Sequence, residues 1–256
     1  MKKTVLALCI LLMVASGAWA DTFVNGGFEN GDFTAWTTGT GYRGNTLNAA
    51  LTPTMVLPGG SLYNASLHHS AVVGPGIAPR TDGNLNTVYS GSYSARVEDG
   101  DIVGGYASAI RQTVTNYTDP NIYFAWAAVL EGAHGLTDAA TFQLTLRDDT
   151  AGVDLISREY NAATSGGGVD ARFTLSSSGY YYTAWQVEQL DVSGAQGHTF
   201  TLSLLAADCE PTGHAGWVYL DGFGAAPPPV GVPEPLTLIL LGSGLAGAIG
   251  LKRKMA

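Results

Sequence analysis

A two-residue hydrophobic period, repeated along most of the chain, is the feature that most restricts its fold. Apolar and polar side chains alternate in the runs 93–97, 142–146 and 200–204, as expected for strands with one face in a core and the other in solvent. In the runs 122–130 and 217–223, odd and even positions alike carry apolar residues, which predicts central strands covered on both sides. A turn at 148–152 separates two such strands. We therefore predict an all-β sandwich of about nine or ten strands.

Composition agrees with short strands joined by turns. The 256 residues include 34 glycines and 11 prolines, and 13% of them are charged, which excludes a coiled coil or a helical bundle. Residues 21–225 contain seven arginines, no lysine and 20 acidic residues. Such a surface repels anionic polymers, so we expect no nucleic-acid partner, and it favours neutral sugars or divalent cations. Simple solubility is an equally good explanation of the charge.

The first 20 residues have the three parts of a secretory signal peptide. Lys2 and Lys3 precede an apolar run at 5–14, and Ala18-Trp19-Ala20 is a small-x-small cleavage site. A membrane anchor is the alternative, but about ten apolar residues are too few to span a bilayer. We expect the chain to be exported.

The C-terminal end predicts a second targeting segment. A proline-rich linker at 226–235 ends in Val232-Pro233-Glu234-Pro235, and residues 236–256 contain an uncharged apolar run followed by a basic cluster at 252–254. As a helix, the 16-residue run would reach about 24 Å, a little less than the ~30 Å hydrocarbon core. The basic end would stay in the cytoplasm, leaving residues 21–235 outside.

This tail resembles the PEP-CTERM sorting signal of Gram-negative bacteria. The resemblance implies processing near Pro233-Glu234-Pro235 by a membrane-embedded exosortase, a membrane anchor until then, and a final place in the cell envelope or outside the cell. It also implies an association with exopolysaccharide or biofilm. The same tail is catalogued as a C-terminal domain of ice-binding proteins, but residues 21–224 contain no Thr-x-Thr ladder at a fixed repeat.

Motifs at both edges of the 21–225 domain look like those of galactose-binding-like jelly rolls, which include many carbohydrate-binding modules. The run 24–29 (VNGGFE) resembles their opening strand, 91–96 and 108–114 resemble the next core strands, and 216–221 (GWVYLD) resembles the closing strand. The resemblance implies a jelly-roll β-sandwich. The closing pattern departs from the family at Gly222, where a second acidic residue or asparagine is common.

The same resemblance implies a structural calcium ion that ties the first segment to the last. Glu29 and Asp221 are the residues at the matching positions, and Ca²⁺ prefers carboxylate and carbonyl oxygens. The alternative is that both side chains cap turns or accept backbone hydrogen bonds. A second acidic turn at 98–101 is expected to face solvent.

Aromatic residues suggest a surface for sugars. A flat ring can stack on the apolar face of a sugar while its edge makes hydrogen bonds. We take Trp185, Tyr181 and Trp126 as candidate ligand-binding residues, with core packing as the alternative. For Trp36 and Trp217 we expect core packing.

No catalytic constellation is evident, so we predict a non-enzymatic protein. Asp208, Cys209 and His214 lie close in sequence and allow a thiol–imidazole pair. We expect instead that Cys209 is a small buried residue and that His134 and His214 are surface residues. Two hypotheses remain: a matrix or envelope protein associated with exopolysaccharide, and a discrete carbohydrate-binding module with a saturable site. The irregular stretch 39–90 is long enough to fold over one face of the sandwich.

Overall fold

A computed structural model describes residues 22–227 of the protein, and the predicted signal peptide, sorting motif and hydrophobic tail lie outside them. Twelve strands run through the described residues: β1 (Thr37–Tyr42), β2 (Ala71–Val73), β3 (Ser94–Val97), β4 (Tyr106–Tyr117), β5 (Asn121–Glu131), β6 (Thr141–Asp148), β7 (Val153–Asn161), β8 (Phe173–Leu175), β9 (Tyr180–Thr183), β10 (Gln186–Asp191), β11 (His198–Ala207) and β12 (Gly216–Gly224). Helical structure in this range is limited to α1 (Pro53–Val56) and three single 3-10 turns. None of these helices has the length and apolar character needed to cross a membrane.

The strands form two antiparallel sheets. The first sheet has the order β1-β4-β11-β6-β7, and the second has the order β2-β3-β12-β5-β9-β8. Strand β5 has two successive pairing partners: its first half pairs with β10, and its last three residues pair with β9. The turn predicted at 148–152 joins β6 to β7.

The connections make the sandwich a jelly roll. One four-stranded layer has the order β3-β12-β5-β10, and the other has the order β4-β11-β6-β7. The chain crosses between the layers from β3 to β4, from β4 to β5 and from β5 to β6. It crosses again from β10 to β11 and from β11 to β12. Two interlocked Greek keys of eight strands have this arrangement. The predicted fold class is therefore confirmed.

The core lies between the two layers, on the side of each strand where the alternating pattern places the apolar residues. The apolar positions of 142–146 and 200–204 are fully buried, as are both faces of most of β5 and β12. Trp36 and Trp217 are also buried, as expected. Tyr93 is the exception, because it is exposed just before β3 begins.

The N-terminal segment differs from the expectation. Residues 24–29 form turns and not an opening strand, and they are fixed to the last strand by their backbone. The Phe223 amide donates to the Gly26 carbonyl at 3.0 Å, and the Phe23 and Phe223 rings have centroids 3.6 Å apart. A β-carbon on Gly26 would lie 1.7 Å from the Phe223 carbonyl oxygen, so only glycine allows this close approach. The first and last parts of the domain are thereby joined.

The long excursion between β1 and β3 covers both outer faces of the sandwich. Leu51, Val56 and Leu57 pack on the outer face of the first sheet, against the small side chains of β4 and β11. Ala78 and Leu85 pack on the outer face of the second sheet. Covering both faces explains why the outward residues of the central strands are apolar.

Candidate functional site

Asp221 is a buried carboxylate with an unused oxygen. It lies in β12 and is completely inaccessible to solvent. Its Oδ2 accepts hydrogen bonds from the backbone amides of Tyr89 (3.0 Å) and Ser90 (2.9 Å), whereas Oδ1 is buried with no hydrogen-bond partner among the described residues. Burial, assisted by the negative charge of Glu29, raises the pKa of Asp221 to about 7. An unsatisfied buried carboxylate oxygen is costly unless something binds it.

Glu29 lies beside the same backbone turn as Asp221. Its carboxylate accepts hydrogen bonds from the amides of Ser92 (3.0 Å) and Tyr93 (3.1 Å). A β-carbon built on Gly27 would lie 3.7 Å from both Asp221 Oδ1 and the Glu29 Cγ. Gly27 therefore lies between the buried Asp221 carboxylate and the side chain of the exposed Glu29.

Among the described residues, the predicted calcium ion has one unpartnered ligand atom here, the buried Asp221 Oδ1. Ca²⁺ requires several oxygen ligands from carboxylates, carbonyls and water, and the pair supplies two carboxylates, one of which has a buried oxygen free to coordinate. Both side chains also accept backbone hydrogen bonds, which is the alternative role that the sequence left open. The ion would neutralise the charge repulsion between the two carboxylates. The loop 89–93, which holds both of them, was not anticipated from the sequence.

The three predicted sugar-binding aromatics do not form one surface. Trp126 is fully buried in the core against Phe142, with ring centroids 5.2 Å apart, and its Nε1 donates to Glu188. The proposal that Trp126 stacks on a ligand is therefore wrong, because no face of its ring is accessible. Tyr181 also packs on the core side of its strand. Trp185 lies on the opposite, outer side and donates from Nε1 to the Asn86 carbonyl at 2.9 Å.

A different set of rings forms a cleft on the outer face of the second sheet. This outer-face cleft has a volume of about 210 Å³, and it is lined by Pro79, Arg80, Arg96, Gly100, Tyr180, Trp217 and Tyr219. The three rings are almost completely buried, with 4% of Tyr180, 2% of Trp217 and 1% of Tyr219 exposed, and the indole of Trp217 donates to the Tyr219 hydroxyl at 3.2 Å. The guanidinium of Arg80 lies 5.6 Å from the centroid of the Tyr180 ring. The cleft thus offers cationic hydrogen-bond donors and little exposed ring surface.

The acidic turn that follows β3 differs from the expectation at its first residue, whereas Gly100 and Asp101 are exposed as predicted. Glu98 does not face solvent: it is fully buried and its Oε1 pairs with His69 Nδ1 at 2.7 Å. This contact raises the pKa of His69. The Glu98 carbonyl accepts a bond from Arg96 Nε at 3.0 Å. The turn therefore fixes one arginine of the outer-face cleft.

Comparison with known proteins gives structural neighbours only. No family model matches the sequence, and a search of curated proteins finds no match. Among solved structures, TmCBM61 in complex with β-1,4-galactotriose is 13% identical and aligns over 80% of this chain and 96% of its own, with a TM-score of 0.41. CBM28, described as a carbohydrate-binding module specific for non-crystalline cellulose, is 15% identical over 78% and 92% of the two chains, with a TM-score of 0.37.

The K1 cleaved adhesin domain of Lys-gingipain from Porphyromonas gingivalis is a third neighbour. It is 14% identical and aligns over 79% of this chain and 95% of its own, with a TM-score of 0.34. At such low identities and TM-scores, none of these similarities transfers a ligand or a binding residue to this protein.

Proposed function

We propose that this protein is an exported, non-catalytic carbohydrate-binding protein that holds a sugar ring in the outer-face cleft. The observation that carries the proposal is the convergence of two arginines, Arg80 and Arg96, at one cavity on the outer face of the second sheet. Convergent polar groups fix the orientation of a bound ligand.

The size of the cleft limits the ligand to one small unit. Its volume of about 210 Å³ lies below the ~300–1,000 Å³ typical of pockets for larger small molecules. One sugar ring of a longer chain therefore suits it better than a buried oligosaccharide. This geometry favours a discrete, saturable site over diffuse association with a matrix.

The two arginines are suited to hydroxyl or carboxylate groups of the sugar. Arg80 is exposed at the mouth of the cleft, whereas Arg96 is half-buried and oriented by its bond to the Glu98 carbonyl. Guanidinium groups donate in a planar fork to paired oxygen atoms.

Arg80→Gln should weaken saturable glycan binding by about 10- to 150-fold, since hydrogen bonds from a charged donor contribute about 1.5–3 kcal/mol. Binding of the full chain to an array of neutral and acidic oligosaccharides, followed by titration of the best ligand, measures the effect. Arg147→Gln is the matched control, because Arg147 lies on the other sheet and pairs with Asp149 and Asp154. Weak, unsaturable retention of every polymer, unchanged in Arg80→Gln, would contradict the site and favour matrix association.

We also propose that the C-terminal tail is a sorting signal read by an exosortase-type enzyme. Its support is the order of the parts in the sequence: Pro233-Glu234-Pro235, then an apolar run, then a basic end. The membrane would hold the tail until cleavage releases the domain to the envelope or the extracellular matrix.

Replacing Pro233-Glu234-Pro235 with three alanines should leave the protein uncut and retained in the membrane fraction of its host. The basic end resists transfer across the bilayer, so an uncut chain stays anchored. Mass spectrometry of the membrane and extracellular fractions reads the C-terminus directly. A mutant that is released with the same C-terminus as the parent would refute the sorting role.

A further inference from the structure

Two loops at one end of the sandwich bring three metal-binding side chains together. His134 lies in the loop after β5, and Cys209 and His214 lie in the loop between β11 and β12. The Cys209 Sγ is 3.5 Å from His214 Nδ1, and the His134 and His214 rings are 4.7 Å apart at 78°. One ligand atom from each residue lies within 4.8 Å of the other two. The sequence places Asp208, Cys209 and His214 close together, but His134 lies 75 positions before Cys209.

The backbone holds all three residues in place. The Cys209 amide donates to the His214 carbonyl at 2.9 Å, which closes the second loop on itself. The carbonyl of His134 accepts bonds from both the amide (2.9 Å) and the hydroxyl (2.6 Å) of Thr164. His134 has a φ of 58°, a left-handed conformation that is unusual for histidine and persists only where the surroundings fix it. The ligand set is therefore preorganised.

Part of this donor set has no partner within the protein. His134 Nε2 is buried and makes no hydrogen bond to any described residue. Cys209 is fully buried, as the sequence predicted, and its sulfur contacts an imidazole instead of packing as a plain apolar group. A buried ring nitrogen without a partner is unfavourable, and a coordinate bond to a metal would satisfy it.

We propose that His134, Cys209 and His214 form a binding site for a transition-metal ion of borderline softness, with Zn²⁺ as its representative. Imidazole and thiolate are the preferred ligands of such ions, whereas Ca²⁺ and Mg²⁺ prefer oxygen. A tetrahedral Zn²⁺ site with bonds of about 2.3 Å to sulfur and 2.0–2.1 Å to nitrogen has an S···N edge of about 3.6 Å. The observed 3.5 Å matches this edge. Three protein ligands leave the fourth position for water or an external group.

Metal binding by the full chain in a Cys9→Ser background tests the site, because Cys209 is then the only cysteine in the sequence. With Ca²⁺ present to saturate oxygen sites, we expect one tightly bound Zn²⁺ per chain by equilibrium dialysis and elemental analysis. Loss of an outer-shell partner alone typically weakens metal affinity by about 10- to 100-fold, so Cys209→Ser, His134→Gln and His214→Gln should each weaken it at least tenfold. His68→Gln is the matched control, since His68 is an exposed histidine outside the cluster, and it should bind as the parent does.

Co²⁺ provides a readout that does not depend on the variants folding. Substitution of Co²⁺ into the parent chain should produce a thiolate-to-cobalt charge-transfer band in the near ultraviolet, and Zn²⁺ should protect Cys209 from alkylation. Absence of the band, or Zn²⁺ binding that is equal in the parent and in all three ligand variants, would overturn the proposal. Neither measurement involves the outer-face cleft, so the outcome is independent of glycan binding.

Discussion

Replacing Arg43 with alanine should lower the free energy of unfolding by about 3–5 kcal/mol, because it removes a buried cationic donor that satisfies several buried acceptors. Arg43 is completely buried just after β1. Its guanidinium donates to the Asp208 carbonyl (2.5 Å), the Thr46 carbonyl (2.7 Å) and Asn48 Oδ1 (2.8 Å). Alanine would leave these acceptors unsatisfied, at about 1–3 kcal/mol each before relaxation. The network joins the excursion after β1 to the end of β11, so its loss would loosen both.

Urea unfolding of the full chain and its variants measures this effect as a shift in midpoint with an unchanged slope. Arg147→Ala is the control, because Arg147 is an exposed arginine with carboxylate partners, and such pairs contribute only about 0–1 kcal/mol. For a domain of this size, the loss in Arg43→Ala corresponds to a fall in melting temperature of roughly 6–20 °C. If Arg43→Ala were no less stable than Arg147→Ala, Arg43 would not be buried in this network.

Most of the fold could be predicted from the sequence, because the alternation of apolar and polar residues indicates which side chains face the core. The runs 142–146 and 200–204 each have one apolar and one polar parity, and both became strands with the expected face inward. Strand β1 (TTGTGY) has no such signal. It is covered by the excursion, and a β-carbon on Gly39 would lie 2.1 Å from the Val56 carbonyl oxygen. A strand that packs its backbone against a loop needs small residues there, and small residues leave no hydrophobic pattern.

The outer-face cleft was harder to predict from the sequence, because strands buried on both faces have no alternation of apolar and polar residues. In β5, Trp126 points to the core, while its neighbour Ala127 lies on the outer face. In β9, Tyr180 lies on the outer face and Tyr181 on the core side. Sequence identifies all of these residues as apolar but does not say which face is outside. The outer-face cleft also draws residues from four separate segments, whose meeting depends on the topology. Glu29 and Asp221 could be paired in advance only because family resemblance places the two ends of the domain together.

Calcium should stabilise the protein by about 2.7 kcal/mol at a hundredfold excess over its dissociation constant, from RT ln(1 + [L]/Kd). For a domain of about 200 residues, this is a rise in melting temperature of several degrees, at ~2–4 °C per kcal/mol. EDTA should abolish the rise. Magnesium should substitute poorly, because it demands tighter octahedral geometry and loses its water reluctantly. Thermal melts of the full chain in each ion provide the measurement.

Two variants and a control test whether the calcium effect depends on Glu29 and Asp221. Glu29→Gln and Asp221→Asn keep the shape of each side chain and remove its charge, so both should lose the calcium-dependent rise. Asp191→Asn should keep it, because Asp191 is an exposed aspartate that bonds the Ser193 amide in a turn. If neither calcium nor EDTA changed the melting temperature of the parent chain, the predicted calcium site would be excluded.

The pH dependence of the calcium effect provides a further test of Asp221. Its pKa is about 7 in the folded protein, against 3.8 for an ordinary aspartate. The folded state therefore binds the proton more tightly than the unfolded state, and without calcium this group should cost stability as the pH rises from about 4 to about 7. Calcium must displace that proton, so its stabilisation should be larger at about pH 8 than at about pH 5.5. In Asp221→Asn, the loss of stability between these pH values should be smaller than in the parent. Burial also raises the pKa of Asp208, but Asp208 is present in both proteins, so the difference between them isolates Asp221. A parent and variant with the same pH dependence would mean that the pKa of Asp221 is not raised in the folded protein.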